Sequence, residues 1–459
     1  MNNVLLNIKP LTATIISGVI IAVMGYTMII LGWVPQVAIT LVISGLLVFG
    51  FFNKIPFVKM QESMAQAVYS GMGAIYLFFF IGLLVSSLMI SGAIPTLMYY
   101  GLNLIYPEFF YISAFILCSI VGIALGSSFT TCATLGVAFI GMSSPFGADP
   151  VITAGAIVSG AYFGDKTSPL SDTTTIGASI VGIDLFDHIR NMMYTTIPAW
   201  VINLLLLWFL TEPITAHDFA NIDEMKNQLL STGLVHLYAL LPFIILILLA
   251  IRKVNAIYII IATIFTALTI TYIHSTPNLT ELGGYFFSGY KPTEGLNLGD
   301  VAKLLSRGGI NSMFFTISIV ILALSLGGLL GALGILPALL NGINHSLTNA
   351  GRATFAAAST AVGINVLIGE QYLSLLLAGN TFKPVYTRLK LHPRNLARTI
   401  ADAGVTINAL VPWSVSGVFI STVMGIPVLS YLPYAFFCYL CLFLTLFFGF
   451  TGITISKLE

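Results

Sequence analysis

Residues 159–175 read Ser159-Gly-Ala-Tyr-Phe-Gly-Asp-Lys-Thr-Ser-Pro-Leu-Ser-Asp-Thr-Thr-Thr175. Two carboxylates, an ammonium and a run of hydroxyls stand between the apolar run Val151–Val158 and the Gly-rich run Ile176–Gly182. Gly164 and Pro169 are expected to break a helix here, freeing backbone carbonyls beside Asp165, Lys166, Ser168, Ser171, Asp172 and Thr173. An ordinary surface loop with a solvated Asp-Lys pair is the plain alternative. Ordinary loops rarely hold so many hydroxyls between such short apolar flanks.

The rest of the chain makes the setting a membrane. Of 459 residues, 57% are hydrophobic and 8% charged, and the mean hydropathy is +0.98. A soluble domain carries about 25% charged residues, so a water-facing surface cannot be built from this sequence. Apolar stretches long enough to span a bilayer include Leu11–Leu31, Val37–Phe52, Ile75–Ile94, Phe109–Leu125, Asn255–Ile273, Met313–Leu340 and Tyr431–Phe450. Ile197–Leu210 and Leu234–Ile251 are shorter examples. Roughly 11–13 membrane segments are expected, some too short to cross alone. In such a setting an interrupted polar helix at mid-depth is where secondary transporters place ion and substrate sites.

Basic residues near helix ends favour the cytoplasm. Lys9, Lys54, Lys59, Arg190, Arg252, Lys253, Arg352 and the cluster Lys383, Arg388, Lys390, Arg394 and Arg398 are therefore assigned inside. This leaves Tyr100–Glu108, Thr211–Gly233 and Ser275–Ser306 outside and both termini cytoplasmic. The first apolar run is longer than a signal-peptide core and is kept as a mature helix of a multi-pass cell-membrane protein.

Two halves are expected. Gly71–Pro95 and Gly309–Pro337 are both Gly-started apolar helices, ending in Gly92-Ala-Ile-Pro95 and Gly334-Ile-Leu-Pro337. By the charge rule they run in opposite directions, the mark of inverted repeats. The expected organisation is an N-terminal half over 1–233 (repeat about 70–211), a linking helix pair over 234–274, and a C-terminal half over 275–459 (repeat about 308–451). The fold class is then an all-α polytopic membrane protein of two inverted-topology repeats with broken or re-entrant helices.

A second polar interruption is Gly126-Ser-Ser-Phe-Thr-Thr-Cys-Ala-Thr134. Ser127, Ser128, Thr130 and Thr131 offer oxygens that suit a hard cation, or donors for a carboxylate. Close helix–helix packing explains such residues equally well. In the second half Glu370, Asn380, Asp402 and Asn408 are the counterparts, with helix capping for Glu370 and a bridge to Arg398 for Asp402 as the plain alternatives. Asp172, flanked by hydroxyls, is the expected carboxylate for exchanging a proton and a cation. With Thr173 and Thr131 it forms a candidate Na+ set. Asp165 and Lys166 are expected to pair with each other.

Several classes fall away. A formal net charge of +1 gives no field for nucleic acid. The six histidines do not cluster, and His188, beside Asp187 and Arg190, reads as a solvated loop residue. Cys118, Cys132, Cys438 and Cys441 all lie in apolar runs, so neither disulfides nor a zinc site are expected. No catalytic triad or phosphate loop is visible, so an enzyme is not expected. A passive channel ranks below a transporter because polar residues concentrate at two interruptions rather than along a pore.

At these residues the sequence resembles the NhaC family of sodium/proton antiporters. The resemblance rests on Gly155–Trp200, with the Gly164-Asp-Lys and Ser168-Pro-Leu-Ser-Asp-Thr173 motif, and on Leu125–Met142. Gly369–Phe382 and Leu396–Gly417 fit more loosely. The resemblance implies two inverted repeats and exchange of Na+ for H+, or ion-coupled exchange of small organic acids or amino acids. Na+ and/or H+ would be the coupling ions, with no cofactor; the bilayer, a small inorganic cation and a small organic acid or amino acid would be the partners, and a homodimer is left open. The second half departs from the family pattern of an acidic pair and a Thr-Ser-Pro run followed by Pro-Trp-Asn. It reads Ala401-Asp402-Ala403-Gly404, Ile407-Asn408-Ala409 and Pro412-Trp413-Ser414, which removes a carboxylate and favours an organic substrate in that space.

Overall fold

A computed structural model describes residues 4–211, 216–252, 254–292, 298–341 and 347–458. Helices make up nearly all of it. Eight are long and apolar enough to cross a bilayer, and two bent pairs raise that to ten. Two shorter apolar helices, Ser128–Ser143 and Leu237–Ile251, accompany them. The long hydrophilic stretches are not plain loops. They carry the helices Ala216–Ser231, Leu279–Ser288 and Gly299–Leu305, while 212–215 and 293–297 lie outside the described residues.

Helix ends follow from local chemistry, and they recur. Phe110–Leu125 stops at Gly126 and Ala350–Ile368 at Gly369, both in the left-handed region that glycine adopts without strain. The next helix is then capped by Ser127, which accepts from the Thr130 amide, or by Glu370, which accepts from the Leu373 amide. Pro150–Thr167 and Pro393–Ile400 each begin with proline at the first helical position, after the caps Asp149 and His392. Asp172–Val181 is capped by Ser171 and ends at Gly182; Val415–Met424 is capped by Ser414 and ends at Gly425. All of these pairs are separated by one constant spacing in the sequence. Gly92 and Gly334, which end Met72–Ile90 and Ile310–Ala332, fall one residue off it.

The buried core draws on both ends of the chain. Pro150–Thr167 packs along Phe110–Leu125 and also touches Phe436–Thr451. Its glycines set that closeness: a Cβ on Gly164 would run into the backbone of Gly122, and one on Gly160 into the Phe115 carbonyl. Gly164 was expected to break the helix. Instead the helix continues through it to Thr167, and the break lies at Ser168–Ser171, around Pro169. Gly164 serves close packing, as small residues do between membrane helices.

Candidate functional site

Asp165 and Lys166 occupy the last turn of Pro150–Thr167 and are 5% and 2% exposed. Because Gly164 draws this turn onto Phe110–Leu125, Asp165 meets the start of the following helix. Its carboxylate accepts from Ser128 Oγ at 2.8 Å and from the Ser128 amide at 3.4 Å. The other oxygen accepts from Ser171 Oγ at 2.5 Å. Ser171 also accepts from the Thr174 amide at 3.3 Å and contacts Thr173 Oγ1 at 2.9 Å. The carbonyl of Lys166, freed by the break, accepts from Thr174 Oγ1 at 3.2 Å. Two interrupted helices thus converge on one carboxylate.

Lys166 turns the other way. It forms an ion pair with Asp402 rather than with its neighbour Asp165. Its ammonium also reaches Thr195 Oγ1 at 3.4 Å and Cys441 Sγ at 3.6 Å, and stands 5.9 Å from the centre of the Phe437 ring. Asp402, fully buried, lies on a widened π-type turn, Ala401–Val405, and accepts from Thr445 Oγ1 at 2.5 Å. Arg398 donates instead to Thr454 at 3.0 Å. The pair therefore ties the first half to the second. A charge buried in a membrane is costly unless paired, which explains why both members occur together.

The second half presents amides at the place of a carboxylate. Asn408 precedes Ser414 by the interval that separates Asp165 from Ser171. Asn408 Nδ2 donates to Asn365 Oδ1 at 2.9 Å, and its Oδ1 accepts from the Ser416 amide at 3.2 Å. Asn365 Nδ2 donates to the Gly404 carbonyl at 2.6 Å. Ser414 Oγ donates to the Asn408 carbonyl at 2.5 Å. Glu370, 6% exposed, caps Gln371–Arg388 through the Leu373 amide at 2.7 Å. Asp172–Val181 packs against Gln371–Arg388, so the two stretches of chain meet here.

The expected residues divide accordingly. Ser128, Asp165, Lys166, Ser171, Thr173 and Asp402 belong to connected, buried interactions, and Asn408 and Glu370 to the facing half. Asp172 is exposed in the first turn of Asp172–Val181, so the buried carboxylate at the break is Asp165. Asn380 is exposed on its helix and stands apart from these groups. Ser127 and Thr130 bond to each other at 3.1 Å, Thr131 Oγ1 donates to the Ser127 carbonyl at 2.8 Å, and Ser168 accepts from the Leu170 amide at 3.2 Å. Among the described residues no hydrogen bond joins Asp172, Thr173 and Thr131 to one another; Thr173 meets Ser171 and Thr131 meets the Ser127 carbonyl. No group of three His, Cys, Asp or Glu suited to a metal occurs among the described residues.

Sequence reasoning missed Asn365, Thr195 and Thr445. Asn365 had one signal, a lone amide inside the apolar helix Ala350–Ile368. Thr195 and Thr445 had none, because a threonine in a membrane helix usually bonds its own backbone. His188 was placed in a loop. It is fully buried, one turn into Leu185–Phe209.

Crossing helices around a buried polar centre define an all-α, multi-pass membrane protein. The profile of the Na+/H+ antiporter family matches residues 160–453. The Na(+)/H(+) antiporter NhaC of Alkalihalophilus pseudofirmus is 37% identical over 441 residues, covering 96% of this chain and 95% of that one. The arginine/ornithine antiporter ArcD of Halobacterium salinarum is 36% identical, over 86% of this chain and 82% of the relative. The malate-2H(+)/Na(+)-lactate antiporter of Bacillus subtilis is 32% identical, over 86% and 84%. The chain belongs to the Na+/H+ antiporter family, among the NhaC proteins.

Proposed function

We propose that this protein is a secondary active antiporter that exchanges Na+ and/or H+ across the cytoplasmic membrane. One observation carries the reading: Asp165, buried, is held by hydroxyls from two interrupted helices, Ser128 and Ser171. A carboxylate ringed by hydroxyl oxygens serves a small hard cation, and the same carboxylate serves a proton. A site that takes one or the other, but not both, couples their fluxes. The Lys166–Asp402 pair contributes no net charge and holds the halves in register. The constant spacing of the caps supports two repeats. With Lys54, Lys59 and the Lys383–Arg398 cluster inside, those repeats run in opposite directions and both termini are cytoplasmic.

A second reading keeps the fold and makes the cargo organic. The Asn365–Asn408 amide pair favours it, since amides both donate and accept and suit a carboxylate or ammonium substrate. Relatives named for arginine/ornithine and malate/lactate exchange lie at similar identity to those named for Na+/H+ exchange.

Flux into proteoliposomes under imposed gradients decides between them. Sodium-driven proton movement with no organic solute present supports the first reading. Uptake that requires an organic acid or amino acid on the opposite side supports the second. No coupled movement under any of these gradients removes both.

A further inference from the structure

The two short helices that follow the breaks, Asp172–Val181 and Val415–Met424, are held at their far ends in the same way. The last carbonyls of a helix have no partner within it and carry partial negative charge. In the first half Lys383 Nζ donates to the Ile180 carbonyl at 3.3 Å, and in the second Arg307 Nη1 donates to the Val423 carbonyl at 2.7 Å. Ile180 and Val423 are related by the same spacing as the helix caps, and so are the glycines that end the two helices. A Cβ on Gly182 would stand 3.6 Å from Lys383 Nζ, and one on Gly425 would stand 3.7 Å from Arg307 Nη2. Each cation therefore lies over the same turn of its helix. The cations themselves are not matched. Lys383 belongs to Gln371–Arg388 and Arg307 precedes Ile310–Ala332, and the positions one such spacing before them, Ile140 and Met64, are apolar. Two unrelated parts of the chain thus bring a cation to one recurring place, which repetition of a segment does not explain.

We infer that Lys383 and Arg307 are positioning residues: each pins the far end of a short helix and so sets the serine at its near end. A helix of ten residues is a rigid rod about 15 Å long, so a tilt at one end moves the other. The near end of Asp172–Val181 is Ser171, whose hydroxyl donates to Asp165 at 2.5 Å. The near end of Val415–Met424 is Ser414, whose hydroxyl donates to the Asn408 carbonyl. Packing reinforces the first clamp. Gly379, one turn before Lys383 on the same face, brings its helix so close that a Cβ there would stand 2.5 Å from Ile180 Cγ2. Ile180 is thereby fixed by its side chain and its carbonyl together. At the second clamp Ile310–Ala332 packs against Val415–Met424. Lys383 is exposed and Arg307 half-buried, and neither enters an ion pair among the described residues. Their charge is left to the helix ends. The effect on transport rests on the antiport reading, whereas the clamps themselves do not.

Two measurements test it. Amide hydrogen exchange of the full chain in detergent reads the clamps without transport. In Lys383→Gln the amides of 181–183 should exchange about threefold faster than in the parent, and in Arg307→Gln those of 424–426 about tenfold faster, the less exposed clamp giving the larger effect. Lys383→Arg and Arg307→Lys keep the charge and should stay within about twofold of the parent. Unchanged exchange in either glutamine variant overturns that clamp. In proteoliposomes Lys383→Gln should raise the apparent Km for sodium about threefold with the maximal rate kept, and Lys383→Arg should restore it. A parent-like Km, or a lower maximal rate alone, overturns the positioning role of Lys383. If the parent shows no sodium-coupled flux, the antiport reading fails instead, and the exchange rates decide the clamps alone.

Discussion

At the scale of single residues the centre is decided by which carboxylate is buried. The sequence offered Asp165 and Asp172 within one motif, and the flanking hydroxyls favoured the second. The fold buries the first, because close contact between Gly164 and Gly122 draws the turn of Asp165 onto Ser128. Nothing in the sequence showed that contact, since Gly164 reads equally as a breaker and as a packing residue. Replacing Asp165 with Asn is expected to lower exchange in proteoliposomes by at least about a hundredfold, as removal of a central intramembrane charge should. Asp172→Asn is expected to lower it by less than about tenfold, as befits an exposed carboxylate. Equal losses for the two would return the central role to Asp172. Ser171→Ala removes one donor and the cap of the next helix; it should raise the apparent Km for sodium severalfold and cost about 1 kcal/mol of stability.

At the scale of elements, breaks and close approaches hold the site together. Segment type was readable from apolar length, and so were the polar interruptions. Their partners were not, because a local motif does not say what lies across the core. Lys166 was read with Asp165, next to it in the sequence, whereas its counter-ion comes from Ala401–Val405 in the other half. Lys166→Met alone leaves Asp402 buried and unpaired, at an expected cost of about 3–5 kcal/mol in detergent unfolding experiments. Adding Asp402→Leu should recover most of that loss, and a double variant as unstable as the sum of the two singles would argue against the pair. Gly164→Ala places a methyl group against the Gly122 backbone and should cost about 1–3 kcal/mol. Unchanged melting of this variant would mean that the two helices do not need their close approach.

At the scale of the whole molecule, helix caps recur at one spacing, while the groups at matched positions differ, Ser127 against Glu370, Asp149 against His392 and Asp165 against Asn408. The recurring glycine and serine caps were partly legible in the Gly-x-x-Pro endings, while the full correspondence appears only when helix ends are located in space. Asn408 stands where the plan of the first half has Asp165, and its amide is bound to Asn365. If the amide selects the cargo, Asn408→Asp should strengthen radiolabelled sodium uptake and weaken exchange of the organic solute, each by about tenfold, or about 1.4 kcal/mol. No change in the ratio of the two fluxes would remove the amide pair from selection. The Lys166–Asp402 tie has a further consequence, for how such a protein can evolve. Either charge lost alone leaves the other stranded in the core, so one-step drift at these positions is closed. In a selection for restored growth after Asp402 is lost, compensating changes should fall at Lys166, on the far side of the sequence, and the two positions should be kept or abandoned together.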